Sequence, residues 1–387
     1  MPNQLAGVQP SVLRWARESQ GLSVEDVALH LSRSPEEVLA WEGGDAAPTY
    51  AQLENLAYKL YKRPLAVFFL PKPPVEPILR KEFRTLPDFE LDVLAADTRY
   101  QIRLAHAFQL SLRELNDGVN PAARKVFEDI QLSPNSDVKK AAQALRHYLD
   151  VSLTAQFSWT SVEAALKSWR SAVEEVGVFV FKHSFKQKSI SGFCLVDDEF
   201  PVIYLNNGTT KTRQIFSLFH ELAHLLLHMN AIGKVDQSYI EYLPQKEQRI
   251  ERFCNALAAE FLMPSDDFLN RIQSQFQITE DSLSRLAKRY RVSREVVLRR
   301  LLDLGMVEQA HYESMAQTWS EEAGQSGGEG GDYYATQAAY LGEPYLRMVF
   351  GRHYQGKLSL EQVADYLGVR TKSVAGLEAL MLQRAGA

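Results

Sequence analysis

Apolar positions recur at helical spacing through the first 64 residues. Leu13, Val24, Val27, Leu31, Val38, Trp41, Leu53 and Leu56 mark four short amphipathic runs. Pro10-Ser11 opens the first and Gly21 closes it. Ser23 caps VEDVALHL, with Asp26 where a glutamate would complete a capping box. Ser34-Pro35 opens EEVLAWE, which ends at Gly43-Gly44, and Thr49 opens YAQLENLAYKLY. The proline-rich segment Lys72–Glu76 reads as a linker, and residues 84–175 as mainly helical. The pattern then changes. Val176–Phe181, Ile190–Val196 and Phe200–Leu205 are β-branched and aromatic runs separated by polar turns, which predicts three strands. A long apolar helix is expected over about 211–229 and, after a polar loop, another over 246–262 that stops at Met263-Pro264. Two more helices fill 280–304. Gly324–Gly331 reads as a flexible linker, and the remainder is helical again.

This pattern gives an α+β, mostly helical fold class. The expected segments are a helix-turn-helix bundle at 1–72, a helical connecting region at 73–170, and a core with a small β-sheet at 171–310. A glycine-rich linker at 311–332 and a helical C-terminal extension at 333–387 follow. A chain of 387 residues is long enough for several domains. The net charge of -5 is mild and announces no nucleic acid. Two cysteines, Cys194 and Cys254, cannot build a disulfide framework, and the N-terminus lacks a basic segment followed by an apolar run. Both features lead us to expect a cytoplasmic protein, and the longest apolar stretches, such as LAVFFLP at 65–71, are too short for a membrane span.

The two ends of the chain echo one another. SVEDVALHLSRSPEEVLAWE at 23–42 aligns without gaps to SLEQVADYLGVRTKSVAGLE at 359–378, with seven of 20 positions identical. The spacing of helix, tight turn and helix is that of a helix-turn-helix.

The chemistry concentrates in HELAH at 220–224. Positions i and i+4 of a helix lie on one face, so His220 and His224 can offer two imidazoles to one ion, with Glu221 beside them as general base. The bare pattern arises by chance in on the order of 1% of chains this long, so context decides. Ile215, Phe216, Phe219, Leu222, Ala223, Leu225, Leu226 and Leu227 make the helix apolar on most sides. Buried imidazoles and a carboxylate need partners, and a metal is an economical one. Zinc is the default for this donor set, although manganese or iron would also be held. A third protein ligand is required. Glu251 opens the next apolar helix, and Asn255, one turn on, could orient a ligand. His228, Cys254 and Glu260 are rivals: a packed or solvated histidine, a buried core thiol and a solvated charge are the plainer readings of them. Tyr239, Tyr242, Arg299 and Arg300 are candidates for stabilising an oxyanion.

These residues resemble the ImmA/IrrE family of metallopeptidases. The matching stretches are ISGF at 190–193, PVIYLNN at 201–207, RQIFSLFHELAHLLLH at 213–228 and ERFCNALAAEFLMP at 251–264. VSREVVLRRLLDLG at 292–305 is similar to the helix pair that follows in that family. The N-terminal hairpins resemble XRE-type repressor domains, and the tail from GGDYYATQ resembles the C-terminal extension of such fusions. The resemblance implies a gluzincin-like set of two histidines and a downstream glutamate, falling on His220, His224 and Glu251. It also implies an endopeptidase that cuts a transcriptional repressor or a neighbouring-gene product in stress, mobile-element or toxin-antitoxin regulation.

Whether the end modules read DNA is a separate question. Residues 10–64 hold six basic and eight acidic side chains, a poor start for phosphate contact. The second helix of the hairpin begins with Arg33 and Ser34 ahead of Glu36 and Glu37, where base-reading side chains would sit. The C-terminal echo has Arg370 and Lys372 there. These six residues are the candidate contacts to DNA or a protein partner, a second copy of the chain included. Three function classes follow: an endopeptidase, a DNA-binding regulator or antitoxin with the peptidase fold as scaffold, and a pure interaction protein.

Overall fold

The computed structural model describes residues 5–76, 79–272, 276–323 and 332–385, with side chains except at 320–323 and 385. The expected linker Gly324–Gly331 lies outside the described residues. Residues 311–323, also expected as linker, belong to a helix over Gln309–Ala323. The chain divides into two compact units, Met1–Leu104 with Phe185–Gln187, and Ala105–Ser184 with Lys188–Ala387. No helix among the described residues is long and apolar enough to cross a membrane.

The first unit opens with α1 (Pro10–Ser19), α2 (Val24–Leu31) and α3 (Pro35–Gly43). At the start of α2 the Ser23 hydroxyl accepts from the Asp26 N–H and the Asp26 carboxylate accepts from the Ser23 N–H, so aspartate completes the box. Val12, Leu13, Ala16, Val27, Val38 and Trp41 form the core of the three helices. Glu42 is buried among them, held by two hydrogen bonds of 2.7 and 2.9 Å from the Arg17 guanidinium.

In the second unit, helix α4 (Val162–Glu175) leads into β1 (Phe179–His183), β2 (Ile190–Leu195) and β3 (Val202–Asn206). Then come α5 (Lys211–Leu226), β4 (Ala231–Lys234) and α6 (Gln245–Leu262). The sheet order is β1-β3-β2-β4. β1 runs parallel to β3, and β2 runs antiparallel to both β3 and β4. Three strands stand where the apolar runs predict them, each shifted by a few residues. β4 falls in a stretch whose sequence reads as polar loop. All strands are buried nearly throughout because both sheet faces are covered. One face carries Phe181, which stacks on Phe108 and stands edge-on to Tyr345, and Tyr204, which stacks on Phe193. The other face packs on α4 and α5 through Val180, Ile203, Leu205, Ile215 and Leu218.

The C-terminal segment has α7 (Glu343–Tyr354), α8 (Leu360–Leu367) and α9 (Thr371–Ala385). Its local geometry repeats that of the first unit with a constant offset of 336 positions, Val24 to Leu360 and Pro35 to Thr371. Ser359 caps α8 as Ser23 caps α2, and Gly368 takes the left-handed conformation of Ser32. The Arg33 N–H donates to Ala28 O at 2.9 Å, and the Val369 N–H to Ala364 O at 3.0 Å. The echo read from the sequence is therefore an echo of backbone.

Trp169 on α4 joins the elements that frame the site described next. It is fully buried and stands edge-on to Phe219 of α5 and tilted against Phe261 of α6, at 5.0 and 5.2 Å between ring centroids. Trp169→Ala should cost about 3–5 kcal/mol of stability, read as a lower midpoint in urea denaturation. A loss below about 1 kcal/mol would mean that the cluster does not hold these helices together.

Candidate metal centre

Helix α5 owes its position to its composition. The Thr210 side chain caps it by accepting from the Arg213 N–H, and every residue from Gln214 to Leu226 is buried. Its last turn closes on His228, whose φ of 54° is left-handed. The His228 N–H donates to Leu225 O and the Met229 N–H to His224 O, a Schellman arrangement. His228 is thus the residue that ends the helix, and it lies outside the cluster that the two earlier histidines form.

His220 and His224 project from the same face of α5 toward Glu251 on α6. The two imidazole Nε2 atoms are 3.2 Å apart. Glu251 Oε2 is 3.4 Å from Nε2 of His220, and Oε1 is 3.3 Å from Nε2 of His224. All three residues are buried, and they are a group of metal-ligand side chains with one donor atom each within 4.8 Å of the others. Atoms bound about 2.0–2.1 Å from a tetrahedral zinc stand about 3.3–3.4 Å apart. The Nε2–Nε2 separation is close to such an edge, while the two short distances to Glu251 are to different carboxylate oxygens, and with one donor atom per residue the three lie within 4.8 Å. Glu251 Oε1 and the Nδ1 atoms of both histidines find no hydrogen-bond partner among the described residues. The donor set therefore fits a divalent cation in its chemistry, two imidazoles and a carboxylate meeting in a buried site where Glu251 Oε1 has no hydrogen-bond partner among the described residues.

The electrostatics are tightly knit. Burial works against the ionised form of Glu251, but the two histidines outweigh it and pull its carboxyl down to about 2. Burial also disfavours a charged His220, yet the hydrogen bond and charge of Glu251 raise it on balance, whereas burial wins at His224 and lowers it. The Tyr239 hydroxyl, itself buried, donates to Glu251 Oε2 at 3.0 Å.

Glu221 is fully buried, and neither carboxylate oxygen has a hydrogen-bond partner among the described residues. Burial, with the charge of Glu251, lifts its pKa to about 8 against the charge of His220. Gly233 of β4 lies so close that a Cβ there would collide with Glu221 Oε1. The sequence contains a hint of this contact, a glycine inside a short strand, but β4 itself was not legible as a strand.

The other candidates separate. Asn255 reaches the site: its side-chain oxygen accepts from Gln237 at 3.0 Å, and it lines with His220, Ser191, Arg213 and Phe216 a cleft that opens on the cluster. Cys254 is fully buried, and burial followed by the charge of Glu251 pushes its thiol well up. Glu260, read as a solvated charge, is instead buried in an ion pair with Arg300 and accepts from the Ser265 N–H and hydroxyl. It is paired because Pro264 turns the chain back over it. Arg299 pairs with Asp303, and Tyr242 is 70% exposed. Of the four oxyanion candidates, only Tyr239 stands in the centre.

Comparison with known proteins places this geometry. The chain is similar to proteins named radiation response metalloprotease IrrE. The relative from Deinococcus deserti is 32% identical over 133 residues, which is 34% of this chain and 46% of that protein. The one from Deinococcus radiodurans is 34% identical over 99 residues, 25% of this chain and 29% of that protein. The chain thus spans less than half the length of the curated relatives it matches. Residues 173–302, which hold β1–β4, HELAH and Glu251, match the family model Peptidase_M78, described as IrrE N-terminal-like domain.

Proposed function

We propose that the chain is a metal-dependent endopeptidase in which His220, His224 and Glu251 hold zinc and Glu221 is the general base. The observation that carries this reading is the convergence of two imidazoles and a carboxylate, one donor atom each within 4.8 Å, beside a second buried carboxylate. A zinc ion supplies Lewis acidity that makes water a nucleophile near neutral pH. The chain's own residues do the rest. Glu221 takes a proton from the water on a carboxylate oxygen and passes it to the leaving amine. The low polarity around it favours holding that proton. Tyr239 fixes the Glu251 carboxylate, and Gly233 leaves room for Glu221. The cleft lined by Arg213, Phe216, Gln237 and Asn255 is where a peptide would lie.

In this reading the substrate is a protein, a helix-turn-helix repressor or the product of a neighbouring gene. The end modules dock it, or DNA, through Arg33, Ser34, Glu36 and Glu37 at one end and Arg370 and Lys372 at the other. A regulator that uses the peptidase fold only as a scaffold has no need of an unpartnered Glu221, which favours the enzyme.

Purified protein should hold about one equivalent of zinc per chain by elemental analysis. Glu221→Gln should keep the metal and lose at least about 100-fold in cleavage of the protein encoded beside it. A Glu221→Gln protein that cleaves normally, or a wild type that neither binds metal nor cleaves, sinks the proposal. Tyr239→Phe removes the hydroxyl on Glu251 and should weaken zinc about 10–100-fold in a chelator competition. Unchanged affinity would place that hydroxyl outside the ligand's support. Gly233→Ala should leave metal content intact while lowering turnover at least about tenfold, because the methyl displaces Glu221. Full activity in this variant would show that the carboxylate is not needed where it stands.

A further inference from the structure

Arg213 comes about two helical turns before His220 on α5, so the two side chains share one helix face with Ser217 between them. The Arg213 guanidinium donates to Val235 O, the residue that follows β4. Lys234, the last residue of β4, holds its ammonium 5.6 Å from the centre of the Tyr239 ring. Both cations line the cleft that opens on His220, together with Ser191, Ser217, Gln237 and Asn255.

The charges of this cleft are one-sided. Its lining contains no aspartate or glutamate among the described residues. Of the two carboxylates nearby, Glu251 is engaged by both histidines and Tyr239, and Glu221 is fully buried behind Gly233. The Arg213 guanidinium has the Val235 carbonyl as a partner and no carboxylate among the described residues. A guanidinium carries five N–H donors, and one carbonyl leaves most of that planar fork for a ligand. The hydrogen bond fixes the group beside β4 without neutralising its charge. The planar fork matches a carboxylate, which it can engage through two parallel hydrogen bonds.

Arg213 stands about 10 Å from His220 along the helix axis at 1.5 Å per residue. An extended peptide spans that distance in about three residues. We propose that Arg213, with Lys234 beside it, selects peptide substrates that carry an aspartate or glutamate side chain within about three residues of the scissile bond. This inference rests on the metallopeptidase reading and adds to it a specificity residue and a class of substrate. The acidic side chain docks on the guanidinium at one end of the cleft, and the peptide runs from there along α5 to the histidines.

The test measures binding to the full chain by isothermal titration calorimetry, with zinc in the buffer and the zinc content of the protein recorded. The probes are alanine-based peptide hydroxamates blocked at the far end. One series extends to the amino side of the hydroxamate and the other to its carboxyl side. In each, glutamate is compared with glutamine at the first, second and third positions. At one position the glutamate probe should bind about tenfold tighter than its glutamine twin. In Arg213→Met that ratio should fall to near one, and Arg213→Lys, which keeps the charge, should retain part of it. A purely structural role for Arg213 would weaken both twins alike and leave the ratio standing. Should Arg213→Met fold poorly, the wild-type ratio and Arg213→Lys decide. Equal binding of every glutamate and glutamine pair by the wild type overturns the proposal, as does a preference that Arg213→Met retains in full. Zinc held with no hydroxamate bound shows that the cleft takes no peptide, and overturns this proposal while the metal site stands. A chain that holds no zinc removes the metallopeptidase reading and this proposal with it.

Discussion

Two imidazole nitrogens and a carboxylate held within 3.2–3.4 Å of one another in a buried pocket make a demand that the rest of the domain must meet. All three present lone pairs to the same small volume, and little water reaches them to relax the arrangement. Without a shared proton or cation, each pair would repel. The fold nevertheless keeps them there, because α5 and α6 are locked by packing outside the cluster. Phe219 precedes His220 in sequence and stacks on Phe261 at 4.1 Å between centroids, while Trp169 meets both rings. The aromatic cluster faces away from the cleft, so the polar cluster is positioned by apolar contacts that never touch it.

The same logic explains Glu221. Its carboxylate is buried against β4, where the absence of a Gly233 side chain makes room for it. An edge strand with a glycine at that register costs the sheet some conformational entropy. In exchange, a carboxylate can sit in a dry pocket beside the cluster. Low polarity then raises its proton affinity in the direction a general base requires, while Glu251 a few ångströms away is driven the opposite way by the two histidines. Two carboxylates of the same chemistry are separated in acidity by their surroundings alone.

What the sequence disclosed follows from this physics. HELAH was legible because helical periodicity puts its two histidines on one face whatever the surroundings, whereas Glu251 stood among rivals at the start of the next apolar helix and was singled out by the family resemblance. β4 was not legible: AIGK is four residues long, contains glycine and is flanked by polar segments, so its strand state comes from pairing with β2 and from burial under α5. Glu260 misled for a related reason. A charged residue near a helix end reads as solvated, and only the turn at Pro264 and the distant Arg300 make it a buried pair. Tyr239 could be named as a candidate but not chosen, since its hydrogen bond to Glu251 depends on how the segment after β4 folds back. The helix Gln309–Ala323 went unread because its apolar residues are few, although Tyr312, Met315 and Trp319 lie at helical spacing and pack against the core.

The repeated hairpins show which part of a sequence specifies local structure and which part is free to vary. The Arg17 guanidinium donates to Leu22 O at 2.9 Å, and the His353 ring pairs with Leu358 O at 2.8 Å, the same contact 336 positions on, made by a different side chain. Glu42 is held by Arg17 and its counterpart Glu378 by the Tyr354 hydroxyl at 2.6 Å. Serine caps, left-handed turn residues and the buried valines are kept, while surface charge is not. Residues 10–43 carry three basic and six acidic side chains, against five and three in 346–379, and Glu36 faces its counterpart Lys372 with opposite sign. Surface charge contributes little to folding such a hairpin but dominates long-range attraction. Two copies of one backbone thus carry opposite charge at the same position. The difference between them lies in what each end attracts and leaves the fold unchanged.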